Sequence, residues 1–329
     1  MNFTITSIKP KHLFAFIISL LINANAISQF AEPEKKLRDA RKDTINGWQA
    51  GAVVMLNFGQ TSLTNWASGG ENSISGNSFF NLFANYRKNT LTWDNTIDLA
   101  GGYLRQGTQN RKTDDKIDFS TKIGMAASKN WYYSGLLNFR SQFLPGYNYP
   151  NDSVKISDFL SPAYIVTAFG MDYKPGKSLT AFVAPLTGKI TIVGIQELAD
   201  KGSFGVEPAE YENGVKIKDG KRFRQEFGGY LKVGFQKDIM KNVNLSTKID
   251  AFSNYIKNPQ NIDINWQVLI SMKVNKYISA SLSTQLLYDD DITYKSKVGG
   301  IEIEKGPKIQ FKEILGVGFS YKFSTNGKK

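Results

Sequence analysis

The sequence predicts an all-β chain: a transmembrane antiparallel up-and-down β-barrel of about twelve strands, preceded by a cleaved signal peptide. Three observations predict it. First, long segments alternate with period two: Ile262, Ile264, Trp266, Val268, Ile270, Met272 and Val274 share one parity, while Asp263, Asn265, Gln267, Ser271 and Lys273 share the other. After Asn275-Lys276 the alternation restarts and runs from Ile278 to Tyr288. Runs of this length exceed the usual five or six residues of a strand and suit a wall that is apolar toward lipid and polar toward a lumen. Second, the connections between such segments alternate between short and long. Third, the N-terminus carries an export signal.

Taken in order, Lys9 and Lys11 precede an apolar run at 13–22 that is too short to span a bilayer as a helix. Ala24-Asn25-Ala26 then supplies a small-residue cleavage site, so residues 1–26 read as a signal peptide. Residues 27–47 are polar and charged and read as a short periplasmic tether, 48–323 as the barrel and 324–329 as a polar tail. Cleavage removes two lysines and no acid, taking the formal charge from +12 to +10. It also removes His12, the single histidine, and the chain has no cysteine. The mature protein therefore lacks the groups for histidine acid/base chemistry, thiol nucleophiles, disulfides and common zinc sites, and no enzyme activity or cofactor is expected. Only a serine-lysine or carboxylate-based activity stays open, and no spacing points to one. The positive balance fits an exported chain meeting anionic head groups, not nucleic acid.

Twelve alternating segments follow: 48–58, 78–87, 91–103, 116–127, 131–143, 162–173, 179–192, 223–237, 243–253, 262–274, 277–288 and 309–323. Short connections follow the even strands two to ten, at 88–90, 128–130, 174–177, 238–242 and 275–276. Longer ones follow strands one, three, five, seven and eleven, the longest at 194–222 and 289–308, with a modest 254–261 after strand nine. Short periplasmic turns and long external loops are the outer-membrane pattern. Aromatics near strand ends, such as Trp93, Tyr103, Trp131, Tyr133 and Phe143, match interface girdles. Pro185 cannot donate to a ladder, so a bulge or bend is expected at 185–188.

Inward parity carries the candidate lumen lining: Asp94, Asp98, Asp118, Glu226, Asp250 and Asp263 against Lys122, Arg140, Arg224, Lys232, Lys248, Lys273 and Lys322. Near balance implies neutralising networks across the lumen, not a selectivity ring of one sign. Tyr132, Tyr230 and Phe252 share that parity and would narrow the bore. Twelve strands lie between a barrel filled by its own side chains and one that leaves a channel. In the loop at 59–77, Trp66 sits beside Gly69 and Gly70, which suits either a constriction at the mouth or a packed surface loop. Asp289, Asp290 and Asp291 offer oxygen ligands for a calcium ion, although a solvated loop base is the favoured reading, and the spacing is not an EF-hand.

Several stretches also carry a resemblance. They are Gln60-Thr61-Ser62 with Asn65-Trp66 and Gly69-Gly70-Glu71-Asn72-Ser73, then Pro185-Leu186-Thr187-Gly188-Lys189, Asn258-Pro259-Gln260-Asn261-Ile262-Asp263 and Tyr288-Asp289-Asp290-Asp291. Together these resemble a Bacteroidota outer-membrane β-barrel family of unknown function, the domain of unknown function 3078 family, over about Trp48 to Phe323. The resemblance implies a single barrel in the outer membrane of a Gram-negative, Bacteroidota-type envelope, and no assigned activity. The expected role is a porin-like narrow conduit for small polar solutes. The alternative is a non-conducting envelope barrel whose external loops bind a protein partner or surface ligand. Expected partners are outer-membrane lipids and lipopolysaccharide, and the barrel-assembly machinery during biogenesis.

Overall fold

The computed structural model describes residues 46–64, 70–149, 151–176, 178–275, 278–298 and 301–325. The expected signal peptide, the expected tether up to residue 45, Trp66, Gly69 and the last four residues lie outside the described ones, as does the side chain of Lys322. Twelve strands close into one antiparallel barrel in which each strand pairs with its neighbours in sequence and the first meets the last. They are β1 Gly47–Thr61, β2 Ser73–Lys88, β3 Leu91–Gln106, β4 Gln109–Ala126, β5 Trp131–Ser141, β6 Ala163–Tyr173, β7 Leu179–Ile192, β8 Phe223–Met240, β9 Val243–Asn254, β10 Ile262–Lys273, β11 Ile278–Tyr288 and β12 Gln310–Thr325. Among the described residues no helix is long and apolar enough to cross a membrane.

Polarity is reversed relative to a soluble barrel. Outward positions are apolar and exposed, among them Leu82, Trp93, Leu137, Trp266, Leu315 and Val317, while the buried inward set includes Asp98, Asp118, Asn138, Asp172, Lys189 and Asp250. A closed sheet satisfies its own backbone, so such a wall can face hydrocarbon. Toward the short turns the outer surface carries a girdle: Trp48 lies 5.2 Å from Tyr86 and 5.4 Å from Trp93, and Trp131 lies 4.7 Å from Tyr173, centroid to centroid. The tight turns themselves put asparagine at positive φ, Asn89 at 52° and Asn242 at 65°, where asparagine is tolerated best after glycine.

Two connections differ from the sequence reading. The expected long loop after β3 is a two-residue turn, Gly107-Thr108, because β3 and β4 continue as a projecting hairpin paired out to Gln106 and Gln109. Likewise β1 and β2 pair as far as Thr61 and Ser73, so the loop expected at 59–77 shrinks to 62–72. Both extensions are rich in Gly, Ser, Asn and Gln, whose weak alternation hides a strand. The bulge at Pro185 is present. Thr187 pairs with Gly228 but Ala184 with Tyr230, and on the other side Leu186 pairs with Phe169 but Val183 with Met171. Gly170 faces this bulge so closely that a Cβ there would lie 2.0 Å from the Val183 carbonyl oxygen.

Candidate functional site: a bridged lumen and its mouth

The inward side chains form three charged layers, which follow from acids and bases spaced two or four apart along the strands. Nearest the short turns, Asp172 is fully buried and takes Lys122 at 2.7 Å and Lys174 at 2.9 Å. Lys174 also meets Asp94 at 2.9 Å, and Arg87 meets the other side of that carboxylate at 2.9 Å. At mid-height Arg140 bridges Asp118 at 3.2 Å and Asp250 at 2.5 Å. Tyr230 donates its hydroxyl to Asp250 at 2.5 Å, and Lys232 stands 3.6 Å from the same carboxylate. Lys248 reaches Asp98 at 3.3 Å, and Lys116 donates to Gln267 at 3.1 Å.

Those last two contacts decide the state of the bore. Asp98 on β3 and Lys248 on β9 are six strands apart in a twelve-strand ring, and so are Lys116 on β4 and Gln267 on β10. Side chains from opposite walls therefore touch. On the β5–β9 side the space is filled by a buried apolar cluster of Leu136, Ala168, Phe182, Ala184, Tyr230 and Phe252. Cations lie over these rings, Lys122 at 5.5 Å from the Phe182 centroid and Lys189 at 5.0 Å from Phe252, which keeps the ammonium groups stabilised where water is scarce.

At the mouth on the long-loop side Lys189 contacts Asp263 at 2.5 Å, Glu226 at 3.5 Å and Asp289 at 3.9 Å. Arg224 meets Glu226 at 2.7 Å and Asp291 at 2.9 Å. Asp263, Asp289 and Asp291 converge, but Asp290 turns aside to accept from Tyr288 at 3.0 Å and from Asn261. Lys189 and Arg224 set two positive charges against the four acids Glu226, Asp263, Asp289 and Asp291. Outside the wall, burial holds the Asp289 carboxyl above its ordinary range, against the pull of Lys189.

The loop at 193–222 folds as a small lid over this mouth. Its helix, α1 Gln196–Asp200, buries Leu198 and Ala199 against Val193 and Val206. Asp200 ties the lid by accepting from Lys216 at 2.9 Å, Gln196 at 2.7 Å and the Gly220 amide at 2.8 Å. Arg224 donates to the Gly205 carbonyl at 3.2 Å, joining lid to wall.

Of the expected lining residues, eleven enter ion pairs on the inner side: Asp94, Asp98, Asp118, Lys122, Arg140, Arg224, Glu226, Lys232, Lys248, Asp250 and Asp263. Lys273 ends β10 at the short-turn rim, where its amide donates to the Asn242 carbonyl. Gly70 lies at φ 118°, a conformation only glycine takes easily, so its role is in the turn. Sequence reasoning missed Lys189, Asp172, Lys174 and Lys116. Lys189 could have been found by carrying the Pro185 bulge through the parity, since one extra residue moves it to the inner face.

Comparison with the curated proteins found no match. Among solved structures the chain is similar to the translocator domain of autotransporter NalP from Neisseria meningitidis, at 11% identity, 94% of this chain and 97% of that one, and a TM-score of 0.34. It is also similar to an outer membrane channel from Pseudomonas putida F1, at 12% identity, 85% and 96% coverage, and a TM-score of 0.38. Residues 58–147, from the end of β1 through β5, match the family model described as "Protein of unknown function (DUF3078)", and over that stretch the chain is similar to that family.

Proposed function

We propose that this chain is an outer-membrane barrel closed along its axis by its own side chains, and that it works as a binding module in the envelope. The observation that carries the reading is the pair of contacts between walls six strands apart, Lys248 with Asp98 and Lys116 with Gln267. A solute moving down the axis would have to separate a partly buried ion pair, which is costly once either partner is left uncompensated. The lipid-facing wall and its girdle support residence in the outer membrane of a Gram-negative envelope, of the Bacteroidota type that the resemblance implies. Lipid and lipopolysaccharide would surround it there, after delivery by the barrel-assembly machinery. The test is single-channel recording of the refolded mature protein in planar bilayers in concentrated potassium chloride. The expected trace is flat at low voltage. Regular steps would sink the closed reading and restore the narrow conduit for small polar solutes.

A further inference from the structure

The barrel is joined unevenly where its first and last strands meet. β1 and β12 pair from Ala50↔Thr325 only as far as Asn57↔Gly318. Above that point β1 continues to Thr61 against β2, and β12 begins at Gln310 against β11, but among the described residues no pair joins 58–61 to 310–317. The zip ends in a tight contact, since a Cβ on Gly318 would lie 1.8 Å from the Leu56 carbonyl oxygen, and one on Gly316 would strike the Asn57 side chain. Just above, a Cβ on Gly59 would meet Ser75 of β2 and no atom of β12 within 4 Å. The strands therefore part beyond Asn57.

An unpaired edge inside a bilayer is expensive, because alternate N–H and C=O groups point at hydrocarbon. Along 310–317 that edge is eight residues long, with Phe311, Leu315 and Val317 exposed on the outer side. Glu313 stands among them, exposed between Phe311 and Leu315 and beside Thr284 of β11, without an ion-pair partner among the described residues. On the inner side Lys312 is held by Asp114 at 2.7 Å. An acyl chain would cover the apolar rim but leave both the backbone groups and Glu313 unsatisfied. A second copy of this chain would bring another β12 edge carrying the same acid, like charge against like.

We propose that the open upper half of this seam is a docking edge for an extended segment of another envelope protein. That segment pairs antiparallel with 310–317 by strand addition, places apolar residues toward lipid, and sets a lysine or arginine beside Glu313. The inference rests on the binding-module reading above and names its interface, while its test is independent of conductance.

The probe is a fluorescent peptide of alternating leucine and serine with one lysine in register with Glu313, added to the mature protein in nanodiscs of phosphatidylethanolamine and phosphatidylglycerol. Saturable binding is expected, at least about tenfold tighter than for the same peptide N-methylated on the edge facing β12, and about tenfold tighter than with glutamate in place of lysine. Glu313→Lys should reverse the second preference, and Glu313→Gln should abolish it while keeping the first. A photoreactive side chain at Leu315, and not one at Leu82 on β2, should capture the peptide. Equal binding of the N-methylated peptide, equal capture at Leu82, or capture at Leu315 of acyl chains that the peptide does not displace would overturn the proposal. Disulfide-linked dimers of a Leu315→Cys variant would overturn it in favour of self-association.

Discussion

Arg140 holds two carboxylates from different walls in one guanidinium fork, Asp118 from its neighbour strand and Asp250 from across the bore. Arg140→Ala leaves both acids facing each other with only lysines as counter-charges, and removing one partner of a buried pair costs about 3–5 kcal/mol. The melting midpoint, followed by heat-modified electrophoretic mobility, should fall clearly, and adding Asp250→Asn should recover part of the loss; no recovery would mean that Arg140 acts by packing. A second residue-level prediction concerns the lid. The Lys216 hydrogen bond, with those from Gln196 and the Gly220 amide, holds the Asp200 carboxyl at about 2, below its ordinary 3.8. A depressed acid stabilises above 3.8 and loses that contribution as pH falls toward 2. Amide protection factors across Gln196–Asp200, exchange rates divided by the intrinsic rate at each pH, should therefore fall between pH 4 and 2 in the wild type, and Asp200→Asn should flatten that dependence. Asp200 could not be found in the sequence, because its partners lie four to twenty residues away in a loop with no period. Asp98 and Asp250 were legible, since parity alone sends them inward.

At the scale of the strand, period two located all twelve elements, and most ends agree within two or three residues because the wall must be apolar on every second position to face lipid. The exceptions are instructive. The upper parts of β1 to β4 carry Gly59, Ser75, Asn77, Gly102 and Asn110, and small polar residues on both faces erase the alternation that marks a strand in the bilayer. The parity of β7 inverts at Pro185, which is why Lys189 and Thr191 are buried with Thr187 on the side that Phe182 and Ala184 take before the bulge. β10 gives the cleanest test of parity. Val268 faces outward, so Val268→Arg should cost about 2–4 kcal/mol near the midplane. Its neighbour Gln267 accepts from Lys116 across the bore, so Gln267→Glu should be tolerated while Gln267→Lys sets two ammonium groups together. Urea unfolding of the three variants in detergent micelles should find Gln267→Glu the most stable, with Gln267→Lys and Val268→Arg both below it; a Val268→Arg barrel as stable as Gln267→Glu would mean that β10 has been turned over.

For the molecule as a whole, charge is graded along the axis. The mouth layer gathers Glu226, Asp263, Asp289 and Asp291 around Lys189 and Arg224, whereas the middle layer sets Asp98, Asp118 and Asp250 against Lys116, Arg140, Lys232 and Lys248. The middle layer carries one excess base and also closes the bore, so the same lysines block and repel cations. Lys116→Ala with Lys248→Ala removes both contacts between opposite walls and leaves three acids facing Arg140 and Lys232. The double variant should conduct where the wild type does not, and under a salt gradient its reversal potential should shift toward cations, because uncompensated carboxylates in a narrow bore attract counter-ions. Replacing the same two lysines by methionine separates the causes: chains of similar length keep the bore filled, so that barrel should stay silent although its charge has changed equally. A conducting methionine variant would make the seal electrostatic, whereas a silent alanine variant would move it to the lid at 193–222, and each outcome is read in the same bilayer recording.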